Sequence, residues 1–323
     1  MTKKLCTMDQ AEIQEWLKHK HRTPKRIVKD KPIKFIAPSY EDHIDAFENA
    51  KQELGEELYN KVFTKKFGIP VLNFAKTLVI NMPGSCYANC WYCIDLALRR
   101  QAIEENAFLD ILAKVIKEFP DIKEVAITGG SLTAHSFNKM LFMLRTFYPK
   151  AKITWNTNAP KIDESYQPGI DLINAINLHR NAVDDDANSK IFESEVPITS
   201  IAKMKKLCGD KLWLRITIDK HFDFDAWLSL GLPLYVNRML PVTKETDEKY
   251  HELLNRLDNI QDDQKRRNHY LTTTYNNIPI RICVGDKESN HVKNRYPTYL
   301  NVVILHRNGI VSGSWYYNDK RIL

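Results

Sequence analysis

The stretch GSCYANCWYC, residues 84–93, places three cysteines within eight positions. Cys86, Cys90 and Cys93 follow a C-x3-C-x2-C spacing, and an aromatic residue, Tyr92, directly precedes the last of them. The chain has six cysteines in 323 residues, which is few for a disulfide scaffold, and half of them crowd this one loop. Such crowding favours a metal site over disulfide bridges.

The number of thiolates limits which kind of metal site this loop can form. Structural zinc takes four ligands, usually in two pairs, and the sequence has no second C-x2-C or His pair. Catalytic zinc accepts three protein ligands but typically includes a histidine or a carboxylate. A cubane iron–sulfur cluster has four irons that each need one outer ligand, so three thiolates leave one iron open for a cofactor or substrate. Both metals stay open on spacing alone, although the cluster explains why there are three thiolates.

Strand and helix patterns alternate from residue 76 onward. The predicted strands are KTLVINM (76–82), EVAITGG (124–130), KITWNTNA (152–159), INLHR (176–180), KLWLRITID (211–219) and LYVNRMLP (234–241). Helical patterns of roughly 10–25 residues separate them, which predicts parallel βαβ units. Six units make an incomplete barrel or an open sheet, with the cysteine loop at the carboxyl end of the first strand, where active sites of such folds gather.

The two flanks differ from this core. Apolar residues at helical spacing predict a basic, helical N-terminal extension over residues 1–75, and residues 76–245 form the core. The remainder, 246–323, is predicted to be a capping region with a C-terminal helix and a β-hairpin that turns at Asn308–Gly309. Residues 276–284 are expected to add a third strand beside this hairpin.

Charge and apolar content bear on location and partners. The net charge is +7, and residues 1–34 carry ten Lys and Arg against four Asp and Glu. This surplus suits an anionic partner, although a solvated arm would have the same composition. No apolar run reaches the roughly 18 residues that span a bilayer, and no signal-peptide pattern follows the first residues, so we expect a cytoplasmic protein with reduced thiols.

The cysteine spacing with its aromatic residue, in the loop after the first strand of a (βα)6 pattern, resembles the radical S-adenosylmethionine (SAM) superfamily. The resemblance covers residues 76–245. It implies an α/β fold, a partial (βα)6 TIM-like barrel, with one 4Fe-4S cluster held by the three cysteines, SAM on the open iron, and an electron donor such as flavodoxin or ferredoxin. Reductive cleavage of SAM would then produce a 5′-deoxyadenosyl radical that abstracts hydrogen from a substrate.

The resemblance also implies contacts to SAM from the first three strands. Tyr92 would face the adenine, and the loop ITGGSL would offer backbone groups of Gly129 and Gly130 to the methionine amino group. Ser131 stands where the family has Glu, which weakens the expectation for that side chain. Asn158, in a segment where the family continues with glycine, can hydrogen-bond SAM or simply favour a turn.

Polar residues on later strands complete the expected site. His179 and Arg180 alternate faces at the end of the fourth strand, so one of them should point inward to bind ribose, a carboxylate or a phosphate. Arg215 lies mid-strand in an apolar run, where a charge is costly unless paired. Its partner is expected to be the SAM carboxylate or, in the competing interpretation, Asp219. Cys283 is a possible hydrogen donor to a substrate radical or an inert buried thiol.

The substrate is the least defined part of the prediction. The charge surplus and the aromatic residues 315–317 favour an anionic substrate such as a nucleotide, nucleoside or nucleic acid. The alternatives are a peptide- or protein-modifying enzyme (an epimerase, cross-linker or activase) and a radical mutase that acts on a small molecule. A non-catalytic metal-binding protein is the alternative of another class.

Overall fold

A computed structural model describes residues 51–52, 55–57, 63–66, 69–88, 90, 93, 101–158, 161–219, 222–238, 244–258, 260–263, 269–285 and 299–313. The strands are β1 Phe63–Lys66, β2 Ile69–Met82, β3 Glu124–Gly129, β4 Lys152–Thr157, β5 Ala175–His179, β6 Leu212–Ile218, β7 Leu234–Arg238, β8 Gln261–Asp263, β9 His269–Tyr275, β10 Ile278–Gly285, β11 Tyr299–Leu305 and β12 Val311–Ser312. The helices are α1 Glu105–Glu118, α2 Ala134–Phe147, α3 Gln167–Asp171, α4 Asp185–Phe192, α5 Thr199–Cys208, α6 Phe224–Leu228 and α7 Lys244–Arg256.

All the described strands belong to one sheet, in the order β12-β11-β2-β3-β4-β5-β6-β7-β10-β9-β8, with β1 paired to β2. Strands β2 to β7 lie in chain order and are mutually parallel, with crossover segments between them. The predicted six-stranded α/β core is therefore confirmed. Among the described residues no helix combines the length and the apolar character needed to cross a membrane.

Two further parallel strands extend this core, one at each side. Strand β11 is parallel to β2, and β10 is parallel to β7. The outer side of each added strand is occupied by an antiparallel partner, β12 on β11 and β9 on β10. These antiparallel partners follow β10 and β11 in the strand order, and β10 does not pair with β11, so the described sheet is an open, partial barrel.

The structure corrects two expectations about the flanks. The helical prediction for 1–75 fails from Phe63 onward, because β1 and β2 pair as antiparallel strands with Lys66 opposite Ile69. Most of the rest of that extension lies outside the described residues. The hairpin at Asn308–Gly309 forms as predicted. The strand expected beside it, β10, instead lies at the other end of the sheet, where its buried Ile280 and Ile282 continue the apolar face formed by β7.

One face of the sheet is apolar and covered by helices. Alternate strand residues such as Leu78, Ile80 and Ile127 are buried against helix residues, among them Phe108 of α1 and Phe137 of α2. Successive side chains of a strand point to opposite faces, so the residues between them point to the other side of the sheet. That other side, the concave side of the partial barrel, carries the candidate site.

Candidate active site

The concave side of the sheet carries a band of polar side chains at matching strand positions. His179 of β5 is the register partner of Arg215 of β6, and Thr217 of β6 is the partner of Asn237 of β7. Neighbours in register point to the same face of a sheet. We call this set the polar face, and its members are Asn81, Asn156, Asn177, His179, Arg215, Thr217, Asn237 and Cys283.

The three motif cysteines come together in the loop that follows β2. Cys90 is buried and packs with Ala88, Phe192 and Val196, and Cys86 and Cys93 pack against the same small cluster. The backbone N–H of Cys93 donates to the carbonyl of Cys90 at 3.1 Å, which keeps the last two motif cysteines close together. The loop therefore gathers three soft thiol ligands at the carboxyl end of the first core strand.

The donor set can be compared with the two metals left open by the spacing. No three His, Cys, Asp or Glu side chains in the described part of the chain are grouped to hold a single metal ion. A cubane does not need such a group, because each of its thiolate ligands binds a different iron. Three thiols on one loop, with an apolar wall behind them, suit a 4Fe-4S cluster chemically.

The segment ITGGSL (127–132), which we call the glycine loop, packs directly on the start of the cysteine loop. A Cβ on Gly130 would lie 1.7 Å from the carbonyl oxygen of Gly84, and a Cβ on Gly129 would lie 1.8 Å from Oδ1 of Asn81. The N–H of Gly130 donates to the carbonyl of Met82 at 3.1 Å. The two glycines are thus required for the close approach of two chain segments. Their predicted approach to SAM stays a prediction.

Replacing Gly130 by alanine should destabilise the protein by about 3 kcal/mol, because overpacking of backbone against backbone cannot be relieved by a rotamer change. Urea unfolding of the apo protein measures this. Gly231→Ala is the control: Gly231 has φ of +64° and nothing lies within 4 Å of the position that a Cβ would take, so this variant should lose only about 1–2 kcal/mol. Equal losses in the two variants would contradict the close packing of the loops.

Arg215 lies in a network of amides that the sequence did not predict. Its guanidinium donates to Oδ1 of Asn156 at 3.2 Å, and the same oxygen accepts from Asn177 at 2.9 Å. The guanidinium also lies over the ring of Tyr235, 5.6 Å from its centroid. The acceptor is thus an amide oxygen and not the carboxylate of Asp219, the alternative partner that the sequence suggested. Two amides therefore fix the direction of a positive charge on the polar face.

His179 lies on the same face beside the cysteine cluster. Its ring packs edge-on against Phe192, with centroids 5.4 Å apart, and Phe192 in turn packs against Cys90. Nε2 is 2.9 Å from Oδ1 of Asn181. Burial lowers the pKa of His179 to about 3, the positive charge of Arg215 acts in the same direction, and the hydrogen bond with Asn181 opposes them. The imidazole is consequently neutral at physiological pH.

A neutral His179 has a consequence for stability. Because its pKa in the fold is below the ordinary value of about 6.5, its contribution is complete above pH 6.5 and declines as the pH falls toward 3. The decline has a limiting slope of about 1.4 kcal/mol per pH unit. His179→Gln should remove this slope from urea unfolding series between pH 6.5 and 4, whereas the same change at the exposed His251 should retain it. Parallel profiles for parent and His179→Gln would contradict the burial of a neutral ring.

Arg180 is a correction to the expected cofactor contacts. Its side chain is 1% exposed, and its guanidinium donates to the carbonyls of Ala182, Val183 and Val196 and pairs with Asp185. Strand alternation turns it away from the polar face that His179 occupies. The residue instead anchors the loop that carries Phe192 and Val196, the wall behind the cysteines.

The other predicted site residues have varied outcomes. The hydroxyl of Ser131 donates to the carbonyl of Ser85 at 3.0 Å, so it ties the glycine loop to the cysteine loop. Asn158 lies just beyond β4 and is partly exposed, and its contact with SAM stays a prediction. Tyr92 lies outside the described residues. Cys208 is not one of the predicted site residues: it is 4% exposed, and burial raises the pKa of its thiol to about 11.

Cys283 lies on the polar face, opposite Asn237 in register. Nδ2 of Asn237 is buried and has no hydrogen-bond partner in the described structure. Cys283 therefore lies on the concave side of the sheet and not within the helix-covered core. Its role as a hydrogen donor to a substrate radical stays a prediction. Asn156, Asn177 and Asn81 are site residues that the sequence reasoning missed. The signal that could have identified them in the sequence is a polar residue inside an otherwise apolar predicted strand.

Comparisons with known proteins bear on the fold. No protein-family model matches the sequence, and no curated protein is similar enough to be matched. Among solved structures, the chain is similar to Streptococcus suis SuiB bound to S-adenosylmethionine, with a TM-score of 0.50, 16% identity, and coverage of 84% of this chain and 68% of that one. For SuiB bound to the precursor peptide SuiA the values are 0.50, 16%, 83% and 63%, so the chain spans less than two thirds of that protein.

At this level of identity the likeness concerns the architecture. The chain therefore shares its overall fold with SuiB, and the predicted α/β fold with an open, partial barrel is confirmed.

Proposed function

We propose that this chain is a radical SAM enzyme whose 4Fe-4S cluster is held by Cys86, Cys90 and Cys93. The observation that carries the proposal is the gathering of these three thiols on one loop, at the carboxyl end of the first core strand of a radical SAM fold. When bound, the cluster supplies an open iron for the amino and carboxylate groups of SAM and the electron that cleaves the sulfonium to methionine and a 5′-deoxyadenosyl radical.

The chain's own residues supply position and exclusion of water. Ala88, Phe192 and Val196 form an apolar wall behind the cysteines, and Cys90 is buried against this wall. Arg180 supports this wall through its bond to the carbonyl of Val196.

Arg215 is our candidate for the carboxylate of SAM. A partly buried guanidinium needs a compensating anion, and within the described residues it contacts only an amide oxygen and an aromatic face. A carboxylate can accept two parallel hydrogen bonds from a guanidinium, which gives direction as well as charge. Neutral His179, its partner in register, can then accept or donate one hydrogen bond to a sugar hydroxyl.

We propose an anionic substrate, and a nucleotide, nucleoside or nucleic acid as its class. The polar side of the sheet continues past Arg215 to Arg281 of β10, which lies over the ring of Trp213 at 4.9 Å from the centroid. Cations and aromatic rings side by side suit phosphates and bases. The net charge of +7 supports the same class. The aromatic residues 315–317, the other sequence signal for a base, lie outside the described residues.

A peptide substrate is the second candidate. It is favoured by the likeness to SuiB, a protein whose solved structures include one bound to a precursor peptide. A flavodoxin or a ferredoxin is the proposed electron donor for either substrate. The two candidates differ in how binding depends on salt, because displacement of counterions from a polyanion makes affinity fall steeply with ionic strength.

The proposal is tested in two steps. Anaerobically reconstituted protein, reduced in the presence of SAM, should form 5′-deoxyadenosine. If the reconstituted protein is colourless and contains no iron, the enzyme assignment is refuted. A fluorescent single-stranded oligonucleotide should then bind with an affinity that falls at least tenfold between about 50 and 200 mM salt. A fall of this size corresponds to about three or more contacts with phosphates. No salt-dependent binding would exclude a nucleic acid and favour the peptide.

A further inference from the structure

The turn between β11 and β12 contacts the segment that follows the cysteine loop. The N–H of Ile103 donates to the carbonyl of Arg307 at 3.1 Å, and the side chain of Asn308 donates to Oε1 of Gln101 at 3.4 Å. Gly309, with φ of +81°, lies so close to α1 that a Cβ would be 2.6 Å from Cδ1 of Ile111. Backbone, side-chain and packing contacts therefore all join the hairpin turn to residues 101–111.

The same turn reaches the other end of the cysteine loop. The side chain of Arg307 is buried, with 2% of the residue exposed, and Nη2 donates to Oδ1 of Asn81 at 3.5 Å. Asn81 is fully buried at the end of β2, five positions before Cys86, and its Oδ1 fills the space where a Cβ of Gly129 would stand. Arg307 is thus one side chain away from both the start of the cysteine loop and the glycine loop.

The hairpin is itself held rigidly. The N–H of His306 donates to the carbonyl of Ile310 at 2.8 Å, and Nε2 of His306 is 2.8 Å from the hydroxyl of Ser312. His306 and Ser312 are both fully buried. A hydrogen bond between two buried side chains helps to hold the segment that contains them. Arg307 therefore contacts the cysteine segment from a fixed support.

We propose that Arg307 is a positioning residue for the cluster: it joins the two ends of residues 81–103 and so fixes the loop that carries the three cysteines. This inference rests on the proposed function. The same guanidinium brings a buried positive charge to the carboxyl end of β2. Buried charges near an iron–sulfur cluster help to set its reduction potential, and a cation favours the more negative, reduced state.

The test compares Arg307→Gln, Arg307→Lys and the parent, with Arg145→Gln as the matched control. Arg145 also donates to several main-chain carbonyls, those of Pro149, Ala151 and Leu172, but in the loops that precede β4 and β5, at the opposite ends of the strands. It controls for the loss of a guanidinium that bridges carbonyl groups. Three quantities are measured: hydrogen exchange of the apo proteins, iron per chain after anaerobic reconstitution, and the midpoint potential of the bound cluster.

Arg307→Gln should raise hydrogen exchange in residues 81–88 by about tenfold, the effect of losing the charge-assisted hydrogen bond to Asn81, about 1.5 kcal/mol, while the backbone bond from Ile103 to the carbonyl of residue 307 is kept. It should also reduce iron retention and move the potential to a more negative value. Arg307→Lys should have the midpoint potential of the parent but not its full iron retention. Lysine keeps the positive charge but lacks the planar set of N–H donors of a guanidinium. Arg145→Gln should match the parent in iron and potential.

The inference is overturned if Arg307→Gln retains iron and potential as Arg145→Gln does. It is also overturned if exchange in residues 81–88 is the same in these two variants. If instead the parent chain binds no iron, the proposed function fails, and the exchange of the apo proteins still decides whether Arg307 fixes the loop.

Discussion

Replacing Cys90 by alanine should abolish formation of 5′-deoxyadenosine from SAM under anaerobic reduction. Cys90 is the most buried of the three motif cysteines and lies at the centre of the small apolar cluster that they share. Loss of a partner that only supports a metal ligand already costs about 10–100-fold in metal affinity or activity. Loss of the ligand itself should therefore exceed about a hundredfold, in iron retention as well as in product.

Cys208→Ala provides the matched control for this experiment. Cys208 is equally buried but lies at the end of α5, within the main apolar core. Its thiol should behave as a small apolar group, so the variant should lose about 1 kcal/mol of stability and keep its iron and its activity. Undiminished product from Cys90→Ala would refute the ligand assignment, and loss of iron from Cys208→Ala would contradict the distinction between the two thiols.

Arg215→Gln should weaken SAM binding by roughly 10- to 100-fold. A hydrogen bond between charged groups contributes about 1.5–3 kcal/mol, and a guanidinium that faces a carboxylate can make two. Glutamine keeps one donor for Asn156 but removes the charge and the fork. Titration calorimetry with SAM on the reconstituted protein measures the change in Kd. Arg215→Lys should lie between the parent and the glutamine variant, because it retains the charge alone.

Arg256→Gln is the control for general effects of losing an arginine. Arg256 pairs with Asp225 across α7 and α6, and the two side chains are 35% and 72% exposed. Surface pairs of this kind contribute about 0–1 kcal/mol, so its loss should leave the Kd for SAM within about twofold. An unchanged Kd in Arg215→Gln would show that Arg215 acts only within the amide network.

The core of the fold was predictable because its signals are local. The cysteine spacing and the alternation of strands with helices are each contained in a short window. Five of the six core strands agree with their predicted ranges within three residues at each end, whereas β2 begins seven residues before its predicted start. The Asn308–Gly309 turn is equally local. The side of the sheet on which β10 pairs was not predictable, because it depends on contacts between residues that are far apart in the chain.

The site was predictable in its residue types and less so in their roles. His179 and Arg180 are adjacent, and the sequence indicated only that they face opposite ways. The bonds of Arg180 to the carbonyls of residues 182–196 decide which one faces the site. The amides of Asn156 and Asn177 and the pair of Arg307 with Asn81 depend on contacts across strands or across the chain. No pattern in a single sequence carries such contacts.

The shortness of the outermost strands has a consequence for how this protein behaves at high concentration. An open sheet exposes unpaired backbone groups at each border, and long borders invite other chains to add strands and aggregate. Here the described sheet ends in β12, of two residues, and in β8, of three. These two short strands offer little template to a second molecule, whereas the part of β11 before Ile304 is not covered by β12. Strand addition by a second molecule is therefore expected at this part of β11 and not at β12 or β8.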